Sequence, residues 1–429
     1  MLSEKREVFR NMNVQKIKSL LGRSEVKHFV NYYAFTIIGS LIGFYSISYL
    51  TTHLEPENYG MIGIFLGVVF FMPALLSFSA TNLQAINIVD LNESEYKKFR
   101  NEYVSFIVTL ILIFLGIALC TLLFLPVYSF VIITSVLYGG LQLLSSVHST
   151  ELIQHAKSTQ FGIFNFVGIL LAFLFSVIFI SLLKLNWQSR IIALILTEAI
   201  MVILRFWVFS SIGREFKYVV NKEKFRYFIL FGWPLMISVL AGWIINQSDR
   251  FILLHFYSLK EVGIYAAAYG ISSIITTFNQ TMLKVVSPLV YRKLNKKMGR
   301  GFIIKLNLLY AFIIMSIAAA GCIFIHFAWH FVLGAKYEAS LPIIYLLCFA
   351  QAFFGIYMTL GIVVDYFKYN KLKTVVIWIC AVVSLGTSFI LIPYLHIYAP
   401  AVGTLFAFIV LSVITYFNGI KILNTNNIL

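Results

Sequence analysis

Apolar residues in this chain come in runs of about twenty or more, separated by short polar breaks. A helix rises 1.5 Å per residue, so such a run spans the ~30 Å hydrocarbon layer of a bilayer. The runs place predicted spans at 28–50, 60–89, 103–125, 127–155, 161–183, 190–212, 227–256, 263–290, 302–330, 341–364, 373–392 and 397–420. They are too long for barrel strands, and within lipid every backbone group must be satisfied inside its own element, so the spans are helices. The expected fold is all-α and polytopic, with about twelve transmembrane helices.

The polar breaks set the orientation. With the N-terminus placed in the cytoplasm, the cytoplasmic segments hold 25 Lys and Arg. The opposite loops hold four: Lys184, Arg190, Lys260 and Lys336. That asymmetry is a positive-inside pattern with both ends in the cytoplasm. It accounts for the net charge of +16 through anionic headgroups, with no nucleic acid as partner. The expected organisation is a basic leader over 1–27, a first set of six helices over 28–212, a basic linker over 213–226, a second set over 227–420 and a tail over 421–429. The leader fits a basic interfacial helix and a solvated segment equally well, and has no signal-peptide core.

Composition agrees: 60% of residues are hydrophobic and 12% charged, about half the charge of a soluble domain. Cys120, Cys322, Cys348 and Cys380 all lie in apolar runs without CxxC spacing, as small buried hydrophobes do. No phosphate loop, GxSxG or paired carboxylates on an outer loop occur, and every loop is short. A non-enzyme without cofactor or metal is expected, its work done between helices.

Two hairpins occupy matching places in the halves. One turns through Leu54-Glu55-Pro56-Glu57-Asn58-Tyr59-Gly60, the other through Leu259-Lys260-Glu261-Val262-Gly263-Ile264-Tyr265. A parallel six-plus-six repeat follows from the match, and transporters built this way often hold their substrate site between the halves.

Ionisable groups at membrane depth are costly and mark function unless they are paired. Ser273, Thr277, Gln280, Lys284 and Ser287 recur at steps of four, three, four and three, a single polar stripe on span eight. A hydrated wall and a helix–helix seam with a snorkelling lysine both fit it. Span seven carries Asn246, Gln247, Ser248, Asp249 and Arg250; Arg250 suits a phosphate, and Asp249 suits holding it or carrying a proton. An ion pair to another helix fits as well. Glu198 and Arg205, seven apart on span six, read as an internal pair or as a coupling acid beside a cation. His148, Glu151 and His155 lack the zincin arrangement, so no metal is expected there. Gly39 and Gly43 permit close helix approach on span one, which also carries Asn31, Tyr32, Tyr33, Tyr45 and Tyr49. Pro73 predicts a kink in span two, where Ser77, Thr81 and Gln84 share a face; such groups suit sugars and ordinary packing alike.

Several passages together carry a family likeness: Leu54 to Gly60; Ser248-Asp249-Arg250 running into Val262-Gly263-Ile264-Tyr265; Ser287-Pro288; Ile153-Gln154-His155-Ala156-Lys157; and Leu391-Ile392-Pro393. With them the chain resembles the polysaccharide-biosynthesis transporters, the O-antigen flippases of Wzx type. Those belong to the multidrug/oligosaccharidyl-lipid/polysaccharide exporter superfamily. The resemblance implies two six-helix lobes around a central cavity, alternating access, and a cargo of undecaprenyl-pyrophosphate-linked oligosaccharide at the bacterial inner membrane. It implies partners among membrane lipids, a polysaccharide polymerase and a chain-length regulator. Arg250, Lys284 and Arg205 are then the candidates for the pyrophosphate, with Asn246, Gln280 and Thr277 beside them in the cavity. Asp249 and Glu198 are the candidates for ion coupling. A drug or metabolite exporter and a lipid-II-type exporter of the same superfamily stay open. So, further off, does a membrane polymerase or acyltransferase, which usually carries a large outer loop.

Overall fold

The computed structural model describes residues 23–124, 126–155, 157–184, 186–295 and 299–426, without the side chains of 23–34, 36, 126, 127, 285, 288 and 370. Most of the predicted leader, and the side chains of Asn31, Tyr32 and Tyr33, therefore lie outside the described residues. Regular structure among the described residues is helical throughout, with no strand. The long helices are α1 (Arg23–His53), α2 (Pro56–Ser77), α3 (Glu93–Phe124), α4 (Pro126–Gln154), α5 (Ser158–Leu183) and α6 (Trp187–Ile203), then α7 (Lys222–Phe256), α8 (Leu259–Asn295), α9 (Arg300–Val332), α10 (Leu341–Tyr366), α11 (Asn370–Leu395) and α12 (Ala399–Thr425). Nine helical stretches among the described residues are long and apolar enough to cross a membrane, and the one at Lys371–Thr425 takes in both α11 and α12.

One predicted span is corrected. Residues 60–89 read as a single run, but α2 stops at Ser77 and a separate short helix occupies Thr81–Asp90. The break is conformational: Phe78 and Ser79 sit at φ 48° and 57°, in the left-handed region. The Phe78 and Ser79 backbone N–H groups turn back to carbonyls of the last helical turn, Leu75 and Ala74. Pro73 lies inside α2 ahead of this break.

Helix junctions that carry most of the Lys and Arg gather on one side, here the basic face: α2–α3, α4–α5 with Lys157 alone, α6–α7, α8–α9 and α10–α11. The α1–α2, α7–α8 and α9–α10 junctions lie on the other, the turn face. Within the first half α1 packs on α5, α3 on α4, and α5 on α6; within the second, α10 packs on α8, α9 and α12, and α11 on α7 and α12. Lipid tails are as apolar as leucine, so packing and interhelical hydrogen bonds, rather than hydrophobicity, select these pairs. One such bond set is buried between α8, α9 and α10: the Asn279 amide donates to the Gln351 carbonyl (2.8 Å) and accepts from the Tyr310 hydroxyl, while Thr276 donates to the Gln351 side chain (2.6 Å).

At the turn face the two halves are clasped. The α1–α2 turn is held by the start of α8 and by the 3-10 turn Ala335–Ser340 ahead of α10. Tyr337, fully buried, donates its hydroxyl to the Leu54 carbonyl at 3.1 Å and meets the Tyr59 ring edge-on at 5.9 Å. Ser48 donates to the Phe331 carbonyl at 3.2 Å, and Lys336 pairs with Glu55 at the surface.

On the basic face the α6–α7 linker is tied to the first half. The Arg100 guanidinium reaches Glu151 at 3.3 Å and Glu215 at 3.0 Å. Asn221, which caps α7 by accepting from the Lys224 N–H, donates to Glu102 at 3.2 Å. The first turns of α7 share that attachment, because Phe228 is fully buried among Phe99, Tyr103 and Phe106 of α3.

Candidate functional site

Between the halves lies a cavity of about 990 Å³. Its lining runs from Leu50, Tyr59 and Arg190 near the clasp to Phe161, Arg205 and Lys284 near the basic face. Closed by the clasp at one end, it extends toward the basic face at the other.

Two helices supply facing stripes. On α8, Tyr269, Ser273, Thr277, Gln280 and Lys284 all line the cavity, so the stripe read from the spacing is a cavity wall; Ser287 lies beyond it. On α6 the stripe is Arg190, Leu194, Thr197, Glu198, Met201 and Arg205. Its last member sits in a single π-helical turn, Leu204–Val208, in which α6 ends. Such turns recur at functional sites because they re-aim a side chain.

Two of the cations are held by neighbouring groups. Arg250 is 4% exposed; its guanidinium lies 4.5 Å from the centre of the Tyr269 ring, and one Nη donates to the Asn246 carbonyl at 3.2 Å. Its Nε is buried without a hydrogen-bond partner. Arg205 rests over Phe164 at 4.8 Å and donates to the Ser149 hydroxyl and the Ser145 carbonyl, the latter at 3.4 Å. Lys284 is an exposed side chain on the wall nearest the basic face. Glu198 accepts from Ser145 at 2.9 Å and forms no ion pair within 4 Å among the described residues. The Ser145 hydroxyl therefore orients the carboxylate while its carbonyl steers Arg205.

Some expected site residues stand elsewhere. Asn246 is behind the wall: its amide donates to the Gly242 carbonyl at 2.8 Å and accepts from the Tyr269 hydroxyl at 3.2 Å, so it positions Tyr269 and Arg250. Asp249 is fully buried away from the cavity. One carboxylate oxygen accepts from the Tyr265 hydroxyl and from Thr404 of α12 at 2.9 Å, and the other is without a partner. Gln84 packs, donating to the Val147 carbonyl at 2.8 Å. Glu151 is taken up by Tyr96 and Arg100, and among the described residues no group of three metal-ligating side chains forms.

Arg190 is the residue the sequence reading misplaced. It was set in an outer loop, yet it lines the cavity, its Nη donating to the Ala172 carbonyl at 3.1 Å and to Ser176 at 2.8 Å. A helical count would have found it, because at about 100° per residue Arg190, Glu198 and Arg205 share an arc of roughly 80°. Tyr138, Gln142 and Asn165 are further polar lining groups that spacing did not single out, and Tyr59 of the first turn and Gln247 of the span-seven cluster join them. Among the described residues the cavity thus sets four cations, Arg190, Arg205, Arg250 and Lys284, against one carboxylate, Glu198.

An all-helical bundle with apolar membrane-length helices and a polar, cation-lined cavity between its halves defines a multi-pass membrane protein. The chain belongs to the polysaccharide biosynthesis protein family, whose model matches residues 26–294. Among curated proteins it is similar to an uncharacterized membrane protein of Haemophilus influenzae, at 27% identity over 111 residues, 25% of this chain and 27% of that one. It is also similar to Lsg locus putative protein 1 of the same organism, at 21% over 112 residues, 26% of this chain and 28% of that one. The matches thus span little more than a quarter of the length of either relative. In fold it is similar to the inward-facing conformation of a multidrug resistance MATE family transporter of the MOP superfamily, with TM-score 0.68, 14% identity, and coverage of 93% of this chain and 98% of that one. The lipid II flippase MurJ in an inward closed conformation gives TM-score 0.68 and 13% identity over 93% and 90% of the two chains.

Proposed function

We propose that the protein is a flippase that moves undecaprenyl-pyrophosphate-linked oligosaccharide, of O-antigen or similar surface-polysaccharide type, across the bacterial inner membrane. The observation that carries this reading is the charge of the cavity: among the described residues, four cations against one acid, in a family of polysaccharide biosynthesis proteins. Guanidinium groups favour bidentate contact with phosphate oxygens, and an excess of cations suits an anionic cargo. Arg205 and Lys284 take the pyrophosphate on entry, with Thr277 and Gln280 beside it, and Arg250 meets the anionic cargo deeper in the cavity. The polyprenyl tail stays in hydrocarbon while the sugar enters the cavity.

In this reading the chain crosses the bilayer twelve times, as lobes of six helices over 28–212 and 227–420. The basic face with both termini is cytoplasmic, and the clasp opens when access alternates. Asp249 is the stronger candidate for ion coupling, being sealed inside the second lobe against Tyr265 and Thr404, whereas Glu198 faces the cargo. A polymerase and a chain-length regulator would receive the product. The MATE likeness keeps a drug exporter as the second reading, but a cavity with a single carboxylate suits cationic drugs poorly.

The test is made in a bacterium deleted for its own flippase and carrying a matching polysaccharide pathway. Expression of the wild-type chain restores surface polysaccharide. Arg250→Ala and Lys284→Ala each reach the membrane at normal levels and restore less than a tenth of it. Full restoration by both variants would overturn the assignment of the cavity to an anionic cargo.

A further inference from the structure

The four cavity cations are too far apart to serve one diphosphate. They fall into two pairs, each with a member from either half of the chain. Arg205 of α6 and Lys284 of α8 lie toward the basic face; Arg190 of α6 and Arg250 of α7 lie toward the clasp. On α6, fifteen residues separate Arg190 from Arg205, roughly 22 Å at the rise of a helix. On α8, fifteen residues separate Tyr269, on whose ring Arg250 rests, from Lys284, again roughly 22 Å. Two independent helices thus give the same separation, several times the length of a diphosphate.

The pair near the clasp is built as a site. Both side chains line the cavity together with Tyr59, and the Arg250 stem packs against Gly63, one turn on from Tyr59 in α2. Arg190 is oriented by the Ala172 carbonyl and Ser176, Arg250 by the Asn246 carbonyl and Tyr269. A guanidinium carries five N–H donors, and the buried Nε of Arg250 has no partner. Around the pair stand Tyr138, Gln142 and Gln247, hydroxyl and amide groups with ring faces that suit sugar hydroxyls and pyranose rings.

We infer that the Arg190–Arg250 pair binds an anionic substituent on the glycan, a sugar carboxylate or phosphate, so that the cargo is an acidic oligosaccharide. This rests on the lipid-linked-oligosaccharide reading above. With the cavity closed at the clasp, the polyprenyl tail tethers the diphosphate near the basic face. The glycan is then the part that reaches the far pair. Two cations held together at a closed end repel each other and are poorly hydrated, so a second negative charge there offsets both costs.

Three polyprenyl-diphosphate oligosaccharides of equal length test it, ending in glucuronic acid, in glucose 6-phosphate or in glucose. Binding to the purified full-length protein in nanodiscs is compared with that of the polyprenyl diphosphate alone. For the wild type at least one acidic form binds about tenfold tighter than the glucose form, which is ~1.4 kcal/mol; which one it is tells carboxylate from phosphate. In Arg190→Gln the acidic-to-neutral ratio falls to about one, and in Arg190→Lys most of it remains. Lys284→Gln weakens acidic and neutral forms by the same factor and keeps the ratio. Equal binding of all three by the wild type, or an undiminished ratio in Arg190→Gln, overturns the inference and leaves the flippase reading intact. If no oligosaccharide form binds better than the bare lipid diphosphate, the flippase reading itself fails, and this inference with it.

Discussion

Gly60 of α2 and Gly263 of α8 meet backbone to backbone at the clasp. A Cβ on Gly60 would stand 3.2 Å from the Gly263 nitrogen and overlap the Leu259 carbonyl oxygen; one on Gly263 would stand 3.0 Å from the Gly60 nitrogen and overlap that of Pro56. No side chain fits at either position while the two helices keep this spacing. Gly263→Val therefore wedges the turn face open. Overpacking costs typically ~1–3 kcal/mol, enough to move a two-state equilibrium by about fivefold to more than a hundredfold. Spin labels at Thr52 and Phe331, exposed residues on either side of the clasp, report it. The variant should show a dominant longer distance; an unchanged distribution would mean that the glycine contact does not hold the gate.

Tyr337 closes the same gate through its hydroxyl. Tyr337→Phe removes the bond to the Leu54 carbonyl and leaves a buried acceptor unpaired, a loss of about 1–3 kcal/mol from the clasped state. The same label pair should show a mixed population, with the ring contact to Tyr59 still favouring closure. Lys336→Ala, which removes an exposed ion pair with Glu55, should shift the population far less.

Arg100 joins two carboxylates on the basic face, and its side chain is only 7% exposed. Arg100→Gln strands Glu151, itself 13% exposed, and should cost about 3–5 kcal/mol as a broken buried pair does. Thermal unfolding in detergent and protease cleavage within 209–221 both check it, and cleavage at the wild-type rate would contradict the docking of the linker.

The linker also responds to acid. The hydrogen bond from Ser211, followed by the bond from Arg100 and the charges of Lys97 and Arg100, holds the Glu215 carboxyl below the usual carboxylate range. A depressed pKa stabilises the docked linker above the ordinary carboxylate pKa, and that contribution is lost as pH falls through the lowered value. Cleavage of the linker should therefore be flat from neutrality to about pH 5 and rise below the ordinary Glu pKa of ~4.3. Glu215→Gln should remove the Glu215 part of that rise.

Coupling separates two carboxylates. In the proposed mechanism Asp249→Asn leaves the protein in the membrane and transport insensitive to collapse of the ion gradients. Glu198→Gln keeps that sensitivity. Transport by Asp249→Asn that remains fully gradient-driven would move the coupling role away from Asp249.

The fold was largely legible because apolar length and helical rise are properties of sequence alone. The break after Ser77 was hidden, because the left-handed positions are a phenylalanine and a serine rather than glycine. Packing under the short helix, with Gln84 bonded to the Val147 carbonyl, stabilises what local propensity does not announce. At the site, the spacing of Thr277, Gln280 and Lys284 marked one polar face, and the structure, which sets it along the cavity, decides between a wall and a helix seam. Asp249 and Arg250 could not be told apart in the same way. Neighbours on a helix point about 100° apart, and which one meets the cavity depends on the rotation of α7 against α2 and α12. Arg190 was lost by its position at the polar edge of an apolar run, where a cavity reaching almost to the turn face takes it in.

The central claim, an anionic lipid-linked glycan carried through this cavity, is tested most directly by reconstitution. Purified protein is placed in vesicles holding a fluorescent polyprenyl-diphosphate oligosaccharide, and the fraction of label reached by an external glycan-modifying reagent is followed over time. Wild-type protein should bring nearly all of the label within reach of the reagent, whereas Arg250→Ala vesicles should stop near the half that begins in the outer leaflet. Wild-type vesicles that also stop at one half would contradict the account.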